Sequence, residues 1–109
     1  MKLPNADKAL IQREKIADYL LNAAQPDNNG KAEFFESFGF RLDHWETLAI
    51  AFRRAALDGE VIQNLETSHG VKYVLHAAME TPSGKSPLVR TVWIVDRGQD
   101  HAPRVERGG

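Results

Sequence analysis

The chain has 109 residues, 42% of them hydrophobic and 27% charged, with a net charge of −1 and no cysteine. That describes one domain able to bury roughly 65% of its unfolded surface, and it excludes a disulfide framework, a thiolate zinc site and a cysteine nucleophile. Charge is even along the chain, with eight Lys/Arg against nine Asp/Glu over residues 1–59 and six against six over 60–109, so a nucleic-acid role would have to rest on a local patch.

Met1–Lys8 opens irregularly, with Pro4 and Asn5 as turn formers, and lacks the apolar core of a signal peptide. The longest apolar run, Leu48–Phe52, is far short of a membrane span. A cytoplasmic protein with no membrane association is expected. Ala9–Gln12 fits either a short edge strand or the first turn of a helix. From Arg13 to Ala24 the spacing of Ile16, Tyr19, Leu20 and Ala23 predicts a helix. Six turn formers, Gln25–Gly30, break it. Lys31–Phe38 has room for a short helix with Ala32, Phe35 and Phe38 on one face and Gly39 as its cap. Asp43-His44-Trp45-Glu46 has the form of a capping box. The helix behind it runs to Asp58, its apolar stripe made of Trp45, Leu48, Ala49, Phe52 and Ala56. Arg53 and Arg54 lie towards its C-terminal half, where cations suit the helix dipole.

Beyond Gly59 the pattern changes to strands. Glu60–Thr67 reads as a first strand. Val71–Glu80 and Pro87–Val95 flank the Pro/Gly-rich stretch Thr81–Ser86, the signature of an antiparallel hairpin. A two-residue turn at Ser83-Gly84 would set His76 opposite Thr91 and Tyr73 opposite Ile94. Tyr73, Leu75, Met79, Leu88, Val92 and Ile94 would then pack on the helices, with Arg90 at their rim. Lys72, His76, Glu80, Thr91 and Trp93 would face outwards. A slip of one residue in the turn would reverse the second strand's faces. Pro103-Arg104-Val105 can begin a last edge strand in a tail expected to fray from about residue 97. The predicted fold is α+β, a single domain over residues 1–109, with two to three helices packed on one face of a three- to four-stranded antiparallel sheet.

No motif names a reaction. No two histidines lie within four residues of each other and no acidic cluster occurs, so neither a metal site nor a cofactor is expected. His44, His69 and His101 read as helix-start, turn and tail residues, whereas His76 is held at a strand centre. Asn28-Asn29-Gly30-Lys31 before a short helix has the look of a weak anion site. One constellation has the parts for cleaving RNA without metal. His76 would transfer protons, Lys31 and Arg90 would hold phosphoryl charge, Trp93 would stack a base, and Thr91 and Lys72 would add substrate contacts.

The segments Lys2-Leu3-Pro4-Asn5-Ala6, Lys15-Ile16, Tyr19-Leu20-Leu21-Asn22, Gly30-Lys31-Ala32, Phe34-Phe35 and Gly39-Phe40 carry a resemblance. So do Gly70-x-Lys72-Tyr73-Val74, Pro82-x-Gly84, Val92-Trp93-Ile94-Val95 and Pro103-Arg104. Together they cover nearly the whole chain and resemble a family of small bacterial proteins that bears a domain-of-unknown-function label. That family is in turn remotely similar to metal-independent ribonuclease toxin domains of bacterial conflict systems. Where relatives often read His-Pro, this chain has Gln25-Pro26. Where they tend to continue after Pro-Arg with a Thr- and Tyr-containing strand, it has Val105–Gly109.

Two functions follow as expectations. The first is a non-catalytic protein-interaction module of a toxin or conflict gene neighbourhood, binding a protein partner through the open sheet face or an edge strand; an exposed apolar patch of Val74, Val89 and Trp93 would mark it. The second is a ribonuclease-like toxin domain acting on RNA, active or degenerate, marked by Lys31, Arg90, His76 and Trp93 clustering in one cleft.

Overall fold

The computed structural model describes residues 1–26, 28–97 and 102–108. Helix α1 begins as one α turn, Arg13–Lys15, and widens into a π segment, Ile16–Leu20. There the Leu21 N–H reaches back to Ile16 O at 2.9 Å. The wider turn rotates the buried face away from strict helical spacing. Ile16, Ala17, Leu20 and Leu21 are buried, while Ala23 lies exposed beyond the helix end.

Helix α2, Lys31–Ser37, buries Ala32 and Phe35. The Phe35 ring packs edge-on against Phe34 and Phe40, and tilted against Phe52 of α3. Gly39 closes α2 in the left-handed region, φ +97°, as its position in the sequence predicts. Helix α3, Trp45–Asp58, buries Leu48, Ala51, Phe52, Ala55 and Ala56. The capping box does not form. Asp43 lies in a 3-10 turn, Leu42–His44, and accepts a hydrogen bond from Arg41 Nε at 3.1 Å, so its carboxylate is spent before α3 begins.

Four strands follow in a meander of order β1-β2-β3-β4, every neighbour antiparallel: β1 Glu60–Glu66, β2 Gly70–Ala78, β3 Leu88–Asp96 and β4 Arg104–Gly108. The helices cover one face, so the layers match the α+β expectation. The β2–β3 register does not. Tyr73 pairs with Trp93, Leu75 with Thr91 and His76 with Arg90. The connection Met79–Pro87 is a structured loop in place of a two-residue turn. Thr81 Oγ1 meets Ser83 Oγ at 2.8 Å and donates to Lys85 O at 2.6 Å, and the Ser83 N–H donates to Phe38 O at 3.0 Å beside the end of α2. This geometry shifts β3 by one residue, and a one-residue shift exchanges its faces.

Trp93, Phe35, Phe40, Phe52, Ile16, Leu20, Leu48 and Leu75 are among the fully buried side chains between helices and sheet. Where a frayed tail was expected, Arg104–Gly108 pairs with β3. Leu10 covers the start of that strand's outer edge. Its N–H donates to Pro103 O at 2.8 Å and its carbonyl accepts from the Val105 N–H at 3.0 Å, which resolves Ala9–Gln12 as a strand-like contact. Residues 98–101, with His101, residue 109, and Asp27 of the Gln25–Gly30 turn lie outside the described residues.

Candidate functional site

The sheet face turned away from the helices is set by strand alternation. It carries Lys72, Val74, His76 and Ala78 from β2, and Leu88, Arg90, Val92 and Ile94 from β3, because cross-strand partners share a face. His76 is the Cα partner of both Glu60 on β1 and Arg90 on β3. A carboxylate, an imidazole and a guanidinium therefore form a straight row across three strands. Arg90 Nε donates to His76 Nε2 at 3.4 Å, a long bond that makes that ring nitrogen an acceptor. Arg90 is exposed and His76 half-buried.

Charged neighbours frame the row. Glu60 accepts from Lys2 Nζ at 3.0 Å and from the Met1 ammonium at 3.2 Å. The Lys2 hydrogen bond, then that of the N-terminus, holds its carboxyl below the ordinary glutamate value. Lys72 Nζ lies 3.2 Å from Glu106. Asp96 and Arg104 form a two-pronged pair at 2.8 and 3.0 Å, which lowers the aspartate pKa and raises that of the arginine. Among the described residues no three His, Asp or Glu side chains gather as a metal site.

Of the six candidates read from the sequence, His76, Arg90 and Lys72 share the open face, with Arg90 there and not at the rim of the core. Two others are corrected. Trp93 and Thr91 are both fully buried on the helical side, where Trp93 Nε1 donates to Thr91 Oγ1 at 2.9 Å. An indole in the core cannot stack a base. Lys31 opens α2 in the helical layer, with the sheet between it and the His76–Arg90 pair. The anion site suggested around it is filled from within. The buried Asn28 Oδ1 accepts the Ala32 N–H at 2.9 Å, and its Nδ2 donates to Tyr19 O at 2.6 Å.

Glu60 was missed by the sequence reading. Its position after Gly59 marks a strand start, but only the β1–β2 register sets it beside His76.

The family described as Domain of unknown function (DUF6883) matches residues 2–106. The chain belongs to that family. No curated protein matches it in sequence. Among solved structures it is similar to a chain of the contact-dependent growth inhibition toxin–immunity protein complex from Klebsiella pneumoniae 342, with a TM-score of 0.73, 19% identity, and 95% of this chain and 94% of that chain covered. At that identity the likeness is one of fold. No helix among the described residues is long and apolar enough to cross a membrane.

Proposed function

We propose that this is a ribonuclease-like toxin domain whose working surface is the open sheet face. The observation that carries the reading is the exposed His76–Arg90 contact, flanked by Glu60, on the face opposite the helices. With RNA bound, Arg90 turns from the His76 ring to the phosphoryl oxygens, and the lone pair this frees on His76 Nε2 takes the proton of an RNA 2′-hydroxyl. The freed oxygen attacks the adjacent phosphorus and the bond to the 5′ oxygen breaks. The products are a 2′,3′-cyclic phosphate and a 5′-hydroxyl, whose proton comes from solvent at this open surface. Arg90 holds the charge that grows on the phosphoryl oxygens. Lys72, further along β2, meets a flanking phosphate. The fold likeness to a chain of a toxin–immunity complex agrees with this setting.

The interaction-module reading ranked first on sequence, but the patch that would mark it is broken up. Val89 and Trp93 are core, and Val74, although on the open face, is buried. One observation keeps it as a second reading. β1 is an edge strand that leaves Ile62 and Leu65 about half exposed, where a partner strand can add.

Induced expression in a bacterial host tests the proposal. Growth arrest with degraded total RNA is expected, relieved by His76→Ala and by Arg90→Ala but not by Lys31→Ala. Arrest that persists in both open-face variants, or no arrest from folded protein, would shift the assignment to the β1 edge.

A further inference from the structure

On the open face, Lys72 of β2 and Glu106 of β4 make an ion pair at 3.2 Å although their strands are not neighbours, so the pair arches over β3. Ile94 is the Cα partner of both Lys72 and Arg104, and Glu106 sits in the bulge between the Trp93–Val105 and Val92–Arg107 pairs. The arch therefore leans from Ile94 towards Val92. Its side chains are 33% and 24% exposed, against 52–60% in the Glu60 pairs. Beside it, Val74 and its β3 partner Val92 are buried although they stand outside the core that the helices cover. A strap between strands is the simplest role for the pair, but β3 already pairs with both β2 and β4.

What the pair holds is an oxyanion on an ammonium. Lys72 Nζ has three donors and no fork geometry, so it takes a phosphate oxygen as it takes a carboxylate. Lys72 lies four residues from His76 on the same face of β2, about 13 Å away. A phosphate on Lys72 is therefore a different one from the phosphate at His76 and Arg90, and Val74 and Val92 form an apolar floor between the two. The carboxylate released from Lys72 keeps a cation near it, because Arg104, raised in pKa first by its bond to Asp96, also feels the charge of Glu106.

We infer that Glu106 occupies the place of a substrate phosphate on Lys72, an autoinhibitory contact that RNA displaces when it crosses the Val74–Val92 floor. This rests on the reading of the open face as an RNA surface, and it gives Glu106 a role in affinity and none in the chemical step.

The test is fluorescence anisotropy of the full chain with a labelled 2′-O-methyl oligoribonucleotide, which has phosphates but no attacking hydroxyl. Single-turnover cleavage of the unmodified RNA is run beside it. Glu106→Gln should tighten binding about threefold to fivefold and lower the half-saturating concentration for cleavage by the same factor. Lys72→Ala should weaken binding, and Glu106→Gln added to it should have no further effect. Glu33→Gln removes one negative charge from the exposed side of α2 and should change nothing. Circular dichroism checks that each variant is folded. Unchanged or weaker binding by Glu106→Gln, tightening that persists with Lys72→Ala, or equal tightening by Glu33→Gln would overturn the inference, while wild-type cleavage would leave the catalytic reading standing. The expected binding responses without cleavage would support the inference and sink the catalytic reading. No binding by any of the proteins would overturn both.

Discussion

Replacing Thr91 with valine is expected to destabilise the domain far more than its place in a hairpin strand suggests. Thr91 and Trp93 are each 0% exposed, and the 2.9 Å bond between them gives the indole N–H its acceptor. No buried side-chain polar atom among the described residues lacks a partner. Thr91→Val keeps the shape but strands a buried donor, which costs about 2 kcal/mol. For a domain of this size that lowers Tm by about 10 °C. Trp93→Phe removes the donor, strands the hydroxyl and opens space beside it, at a cost of about 2–3 kcal/mol. In the double variant no polar group is left stranded, so its cost should fall short of the sum by about 1 kcal/mol. Urea unfolding followed by far-UV circular dichroism measures all four proteins, with the m-value checked for constancy. If the strand faces were those of a two-residue turn, both side chains would be in water and Thr91→Val would change stability by less than about 0.5 kcal/mol. That result, or strict additivity, would refute the register and the burial argument together.

Gly70 has φ +155°, and a Cβ there would lie 2.2 Å from Val95 O, so Gly70→Ala should cost about 2–4 kcal/mol in thermal or urea unfolding. Gly84→Ala, with nothing within 4 Å of its Cβ and only φ +83° against it, should cost about 1 kcal/mol. Asn28→Ala frees the Ala32 N–H and the Tyr19 carbonyl and should cost about 2 kcal/mol, with faster hydrogen exchange in α2 as the local sign. Arg104 holds the Asp96 carboxyl below its ordinary 3.8, so the pair's contribution is complete above that pH and fades as pH falls through the lowered value. Both side chains are more than a third exposed, so Asp96→Asn should lower Tm by only about 2–4 °C at pH 7, and by progressively less as pH falls below the ordinary carboxylate range.

The architecture was legible because periodicity carries it. The 3.6-residue stripe of α3 and the alternation of β2 each state which face is buried, and Gly39 and Gly59 end their helices where the sequence sets them. The site was not legible, because it depends on one residue of hairpin register. In Leu-Val-Arg-Thr-Val-Trp-Ile-Val both alternating sets contain large apolar residues, so the pattern does not choose between faces. The choice is made by tertiary contacts remote in sequence, including Ser83 on Phe38 O and the packing of Trp93. The failed capping box has a similar origin. Arg41, two residues before Asp43, competes for the same carboxylate, and a four-residue motif does not show that rival. Glu60 beside His76 was invisible for a simpler reason, since their pairing depends on the bulge between Val61 and Gln63.

In the proposed reaction His76 and Arg90 act together on RNA from the open face. The most direct measurement is single-turnover cleavage of a labelled RNA by purified protein in EDTA, with the new 3′ ends analysed. Expected are 2′,3′-cyclic phosphate ends, a loss of about 10²-fold or more in both His76→Ala and Arg90→Ala, and an unchanged rate in Lys31→Ala. Absence of cleavage from wild-type protein shown to be folded, or an undiminished rate in His76→Ala, would contradict that reaction.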